Sequence, residues 1–232
     1  MVERHTGHRQ AMDAQDSRAA VVLDVDGTLL DSNYHHAIAW ARAFGHVGVD
    51  VPVWRIHRAI GMGGDKLVAA VAGDEVEETH GDEVRDRWEK EYDSLIDETR
   101  LLDGAKELLR SLRGRGLAVA LASSSIPQHA QHAFDLLDAD ELADTATTAE
   151  DTEESKPDPD LIEEALTRLG AGSACVVGDS VHDMTSAQRA GVPAYGVLTG
   201  GYGRAELLDA GARNVYDDLQ DLRAHVDEWA PV

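Results

Sequence analysis

A single cysteine, Cys175, in 232 residues leaves no partner for an internal disulfide. Such a chain suits a reducing compartment, and a cytoplasmic location is expected. Long apolar runs are also missing. No segment approaches the ~20 residues that span a bilayer. The polar opening MVERHTGHRQAMDAQDSRA lacks the apolar stretch of a secretory signal, and residues 1–18 read as a flexible tail. Lysine is scarce: of 21 basic residues only four are lysines, Lys66, Lys90, Lys106 and Lys156. Against them stand 44 acidic residues, for a net charge of -23. Nucleic-acid binding depends on neutralising phosphates with cationic side chains, so that class of partner is not expected. A salt-rich cytoplasm and a GC-rich coding sequence would each produce this acidic, arginine-biased composition. A hydrophobic share of 43% is ordinary for a globular protein, and the length suffices for a sizeable core.

What is present is an alternation of short aliphatic runs and amphipathic stretches. AAVVLDV (19–25), LAVALAS (117–123), ACVVGD (174–179) and PAYGVL (193–198) read as buried strands, with LADTATT (142–148) a weaker fifth. Helical periodicity fills 104–116, 159–170 and 182–191, each stretch ending near glycine. Strand, helix, strand repeated in this way predicts an α/β fold, a doubly wound parallel sheet with helices on both faces. From 33 to 100 the rhythm breaks into helical segments without a convincing strand. An α-helical cap inserted there would divide the chain into a catalytic core, 19–32 with 101–232, and a cap, 33–100.

Chemistry collects at the predicted strand ends, which in an open α/β sheet line the ligand crevice. The first run closes on DVDGT, placing Asp24 and Asp26 two positions apart, with Gly27 free to adopt backbone that a side chain would penalise. Paired carboxylates can divide labour, one as nucleophile or metal ligand and the other as proton carrier. The second run ends in Ser123-Ser124-Ser125, a place to hold an anion. Lys156 precedes a helix in ESKPDPDL, and the fourth run ends in GDSVHD with Asp179 and Asp183. An all-oxygen cluster with several carboxylates suits Mg²⁺ rather than zinc.

In this order DVDGT, LASSS, SKPDPD and GDSVHD resemble the four motifs of the haloacid dehalogenase-like hydrolases. The resemblance is to the subgroup with a helical cap after the first motif, which includes phosphoglycolate phosphatases and β-phosphoglucomutases. It covers Ala19 to about Asp221. It implies that Asp24 is the nucleophile that becomes an aspartyl phosphate and that Asp26 is general acid, then base. Ser123 and Ser124 would bind substrate phosphate. Lys156, in a cis peptide with Pro157, would neutralise nucleophile and phosphate. Asp24, the backbone carbonyl of Asp26 and Asp179 would bind Mg²⁺, with Asp183 supporting the metal or Lys156. Dehalogenases lack an acid at the second position of the first motif, so Asp26 points to phosphate chemistry. The implied function is a phosphatase of small phosphate monoesters, phosphoglycolate- or sugar-phosphate-like; the acidic composition, with no obvious extra apolar face, separately suits a monomer or homodimer. A phosphosugar mutase is the alternative, and a non-catalytic phosphate-binding module is a third reading, disfavoured because all four motifs are intact.

In the cap, WRIHRAIGMGGDKL (54–67) is the candidate for substrate recognition, with His57 and Arg58 able to meet an anionic or hydroxylated leaving group. The competing reading makes Arg58 a surface charge. Trp40, Trp54 and Trp88 are expected to build the cap core. His35 and His36 are assigned to packing or the helix surface, and His182 to capping the helix after Asp179. Cys175 is core filler, and Thr199-Gly200-Gly201 lies at the rim of the crevice. Hinges are expected near 31–33 and 100–103.

Overall fold

The computed structural model describes residues 18–232. Of the expected tail only Arg18 falls within them; its guanidinium lies 3.0 Å from Asp144. The rest of the tail lies outside the described residues.

The first aliphatic run forms β1 (Ala20–Asp24), buried at every position. A tight turn leads to β2 (Leu30–Asp31), and the chain then runs through four helices: α1 (Asn33–His46), α2 (Val53–His57), α3 (Gly64–Ala72) and α4 (Asp74–Asp93). It returns at β3 (Arg100–Leu101) and enters α5 (Ala105–Gly114), β4 (Ala118–Ala122), α6 (Pro127–Leu137), α7 (Ala139–Leu142) and β5 (Thr145–Thr147). Then come α8 (Asp160–Leu169), β6 (Ala174–Gly178), α9 (Val181–Arg189) and β7 (Ala194–Val197). The chain closes with α10 (Arg204–Asp209), β8 (Ala212–Tyr216), α11 (Leu219–Ala224) and α12 (Val226–Trp229).

Six strands form one sheet in the order β5-β4-β1-β6-β7-β8, every pairing parallel. All their carboxyl ends therefore share one edge, with β1 between β4 and β6 near the middle. The two-residue alternation of a strand sorts β1 between two cores. Val21 and Leu23 join Leu108, Leu109 and Leu112 of α5 on one face. Val22 joins Ile162 of α8 and Met184 and Ala187 of α9 on the other. This is the doubly wound parallel sheet that the alternating pattern predicts. β8 is not among the predicted strands, because Arg213 and Asn214 face solvent and leave no aliphatic run to read.

Helices α1–α4 enclose a third, separate core of Trp40, Phe44, Ile56, Val68, Val84 and Trp88. Trp54 is not in it; its side chain is 69% exposed, a correction to the expectation. α2 is only five residues long and turns Ile56 inward, which leaves the position two before it facing out. Where the chain leaves β1's turn and where it returns, β2 and β3 pair antiparallel, Leu30 with Leu101 and Asp31 with Arg100. Strands of two residues carry no alternation, so sequence pattern gives no sign of this ribbon. Among the described residues no helix is long and apolar enough to cross a membrane.

Candidate active site

β1 ends at Asp24, and the chain reverses at once: Leu29 and Leu30 both donate backbone hydrogen bonds to Val25 O. Gly27 makes this turn possible. Its φ is +82°, and a Cβ there would lie 2.2 Å from Asn33 Nδ2 and 2.6 Å from Asp179 Oδ2. The turn brings Thr28 back beneath the strand end. Thr28 Oγ1 lies 2.9 Å from both Asp24 Oδ2 and Asp179 Oδ1, its one proton serving them in turn.

Lys156 arrives from the loop before α8, its peptide bond to Pro157 cis. Its ammonium, 2% exposed, contacts Asp24, Ala122 O at 3.2 Å and Asp183 Oδ1 at 2.8 Å. The Asp183 contact lies off the hydrogen-bonding direction, so Oδ1 is paired by charge but accepts no hydrogen bond. Asp183 is fixed at the start of α9, where its Oδ2 accepts from Ser180 N and Oγ at 3.1 and 2.6 Å. Ser180, rather than His182, caps this helix, its hydroxyl accepting from Asp183 N. Asp179 follows β6 and accepts from Asn33 Nδ2 at 2.9 Å. Only glycine fits opposite it, since a Cβ on Gly200 would fall 1.6 Å from Asp179 Oδ2.

Asp24, Asp179 and Asp183 can bring one oxygen each within 4.8 Å of one another, all buried. Three carboxylates share one ammonium here, and buried charge left unpaired costs several kcal/mol. The imbalance registers as proton affinity. Burial, with the charge of Asp183 adding, pushes Asp24 up to about 7 against the pull of Lys156. Burial and the neighbouring Asp24 and Asp183 push Asp179 well above the carboxylate range. Lys156, although burial disfavours its charge, is held above its ordinary value by Asp183 and Asp24. A divalent cation with a preference for oxygen fits this donor set and its deficit of positive charge.

Asp26 points elsewhere. Its Oδ1 accepts from Ser32 Oγ at 2.6 Å and faces His36 Nε2 at 3.3 Å. Its Oδ2 accepts from Ser125 Oγ at 3.0 Å and Ser123 Oγ at 3.4 Å. Burial alone would raise its pKa, but the contacts from His36, Ser32 and Ser125 outweigh it and hold the carboxyl below the ordinary range. His36, buried and stacked on Tyr92 with ring centroids 3.8 Å apart, therefore belongs to the site and not merely to packing. Sequence reasoning passed over it because α1 begins only at Asn33 and its first-turn geometry decides which histidine turns inward. Thr28 and Asn33 carry no expectation from the sequence, although Thr28 has a signal as a member of DVDGT, and Ser125 is expected only as part of the serine run that could hold an anion.

The predicted residues thus fall into three groups. Asp24, Lys156, Asp179 and Asp183 converge. Asp26 and Ser123 form an adjoining pair, while Ser124 turns to the cap and donates to Gly61 O at 3.3 Å. His57 and Arg58 join neither. His57 Nε2 donates to Gly200 O at 3.0 Å, and its ring stacks on Tyr34. Arg58 bonds Glu206 and covers the Tyr202 ring at 3.9 Å. Tyr202 OH and His182 Nε2 both donate to Arg58 O, at 2.6 and 3.1 Å. This stretch is a clasp between cap and core. A second clasp joins Lys66 of α3 to Asp158, Glu154 and Ser155 O, beside Lys156. Between the clasps lies a cavity of about 40 Å³, floored by Asp24, Asp26, Ser124 and Ser125 and roofed by Trp40, Ile60, Met62 and Trp88. The space is small and partly open, and its lining joins the strand-end acids to helices α1–α4.

A family model described as haloacid dehalogenase-like hydrolase matches residues 21–197. A hydrolase from Pseudomonas syringae, known from its crystal structure, is 33% identical with a TM-score of 0.87; the match covers 92% of this chain and all of that one. A phosphoglycolate phosphatase from Cereibacter sphaeroides is 31% identical over 220 residues, 89% of this chain and 98% of its own length. A validoxylamine A 7'-phosphate phosphatase from Streptomyces hygroscopicus subsp. limoneus is 30% identical over 186 residues, 77% of this chain and 84% of its own.

Proposed function

The chain belongs to the haloacid dehalogenase-like hydrolases and acts on phosphate esters, and from that premise we propose a Mg²⁺-dependent phosphatase of small phosphate monoesters that works through an aspartyl phosphate on Asp24. One observation carries the reading: a buried lysine stands between two carboxylates at the central strand end, while a second acid two residues on is held apart. That division of labour is what two-step phosphoryl transfer requires.

Asp24 attacks phosphorus, and the bond from phosphorus to the alcohol oxygen breaks. Asp26 gives the departing oxygen its proton. In the second step Asp26 takes a proton from water, whose oxygen attacks the phosphoryl group, and the freed Asp24 and inorganic phosphate result. The contacts from His36, Ser32 and Ser125 that hold Asp26 below the ordinary carboxylate range favour the ionised form needed in the second step, and the proton it takes from water there is the one it gives in the next first step. Lys156 neutralises Asp24 and the phosphoryl oxygens, and Ser123 donates to those oxygens from the same strand end. Mg²⁺, held by Asp24, Asp179 and the backbone carbonyl of Asp26, would supply the positive charge that lets an anionic nucleophile meet an anionic ester. Asp183 keeps Lys156 in place.

The substrate proposed is a small phosphorylated metabolite of the cytoplasm, met by a monomer or homodimer. Phosphate release from a panel of monoesters, with Mg²⁺ and with EDTA, tests the reading. Release that needs Mg²⁺ and disappears in Asp24→Asn supports it. Isomerisation of β-glucose 1-phosphate without net release would favour a phosphosugar mutase instead.

A further inference from the structure

A substrate's leaving group must occupy the space between the phosphoryl position and the cap, so the chemistry of the roof selects it. Trp40, Ile60, Met62 and Trp88 supply carbon and sulfur there, and Gly61 and Gly64 supply backbone. Among the described residues no lysine or arginine lines this cavity. Three cap cations are committed elsewhere: Arg58 to Glu206, Lys66 to Asp158 and Glu154, and Arg85 to Glu77 and Asp82. His36, also on the lining, is engaged by Asp26 Oδ1 at 3.3 Å, and Asp65 in the first turn of α3 offsets the positive end of that helix at Gly64.

The way out offers no relief. A second cavity of about 240 Å³ shares Gly64, Trp88 and Ser124 with the first, and it is lined by Asp65, Asp86, Glu89 and Glu153. Its only cation among the described residues is the already paired Arg85. A carboxylate or second phosphate on the leaving group would thus be buried without a counter-charge, or extended among like charges. Either is costly by the same desolvation that raises Asp24 and Asp179.

We propose, resting on the phosphatase reading, that this enzyme takes phosphate monoesters of uncharged alcohols and discriminates against esters whose leaving group carries an anion. Phosphoglycolate falls in the disfavoured class. The apolar roof accepts hydrocarbon next to the ester oxygen, and the acid-lined second cavity accepts hydroxyls farther out.

The test compares two esters of matched shape, isobutyl phosphate and phosphoglycolate, by kcat/KM with Mg²⁺ in the intact enzyme. Rejection of an ion left without a partner predicts a preference of at least about ten-fold for isobutyl phosphate. Met62→Lys places an ammonium on the half-buried roof position and should shift the ratio towards phosphoglycolate by about ten-fold. Phosphoglycolate turned over as well as isobutyl phosphate by the wild type would overturn the inference. So would a folded Met62→Lys enzyme with an unchanged ratio, because charge would then not set the choice. Release from neither ester, nor from p-nitrophenyl phosphate, would be a different failure: it would sink the phosphatase reading itself and this inference with it.

Discussion

The floor and the roof of the cavity are built from opposite materials. The floor is charged and buried, drawn from strand ends and their turns, with Asp24, Lys156, Asp179 and Asp183 locked by Thr28, Asn33 and Ser180. The roof is aromatic and aliphatic, carried on helices with a core of their own. Its charges are turned outward into the two clasps. The difference separates two tasks. A rigid sheet edge fixes the strand-end groups to within hydrogen-bond tolerance, whereas a helical unit with its own core, joined through two short crossings, would be free to shift without disturbing them.

If the floor alone performs chemistry, breaking it should have the largest effect. Asp24→Asn is expected to lower kcat by at least about a thousand-fold with the fold intact, as loss of a covalent nucleophile does. Circular dichroism alongside phosphate release checks this. Lys156→Met leaves Asp24 and Asp183 facing each other without a cation. It should cost a comparable factor in kcat and, in EDTA, about 3–5 kcal/mol of stability in urea unfolding. Equal stability with and without the ammonium would show that the carboxylates are protonated already.

The sequence made much of the floor legible, and the reason is physical. Fully buried parallel strands must be aliphatic throughout, so β1, β4, β6 and β7 stand out, and a polar residue ending such a run must face the crevice. The roof was legible only as helical periodicity. His57 and Arg58 look like ligands because they are polar beside glycines. Their partners, Gly200 O and Glu206, lie some 140 residues away and leave no local trace. The inward turn of His36 and the outward turn of Trp54 depend on where short helices begin, which periodicity locates poorly.

Smaller effects sharpen the boundary between the two regions. His36→Ala removes the contact to Asp26 Oδ1 from the first turn of the cap. It should reduce kcat about ten-fold, more than KM, because it acts on proton transfer; an altered pH profile would separate this from a packing defect. The floor also predicts an unusual pH dependence in the metal-free protein. Asp24 is raised from 3.8 to about 7, and Asp179 is raised too. The folded protein therefore binds more protons than the unfolded chain between about pH 4 and 7, and stability contributed by these groups falls as pH rises through that window. Asp26, depressed, has the opposite sign and acts only below about pH 4. Thermal melts in EDTA should fall in Tm from pH 5 to 8, and Mg²⁺ should flatten the slope. The least change is expected from Arg58→Ala: an exposed ion pair contributes roughly 1 kcal/mol or less, so KM should move by no more than about three- to five-fold with kcat nearly constant.

The most direct test of the central claim is to quench turnover of isobutyl or p-nitrophenyl phosphate in acid and map phosphoryl groups by mass spectrometry. The proposed chemistry predicts one phosphoryl group on the peptide containing Asp24 when Mg²⁺ is present, and none with EDTA or in Asp24→Asn. Steady phosphate release with Asp24 unmodified at every quench time, and undiminished in Asp24→Asn, would contradict it.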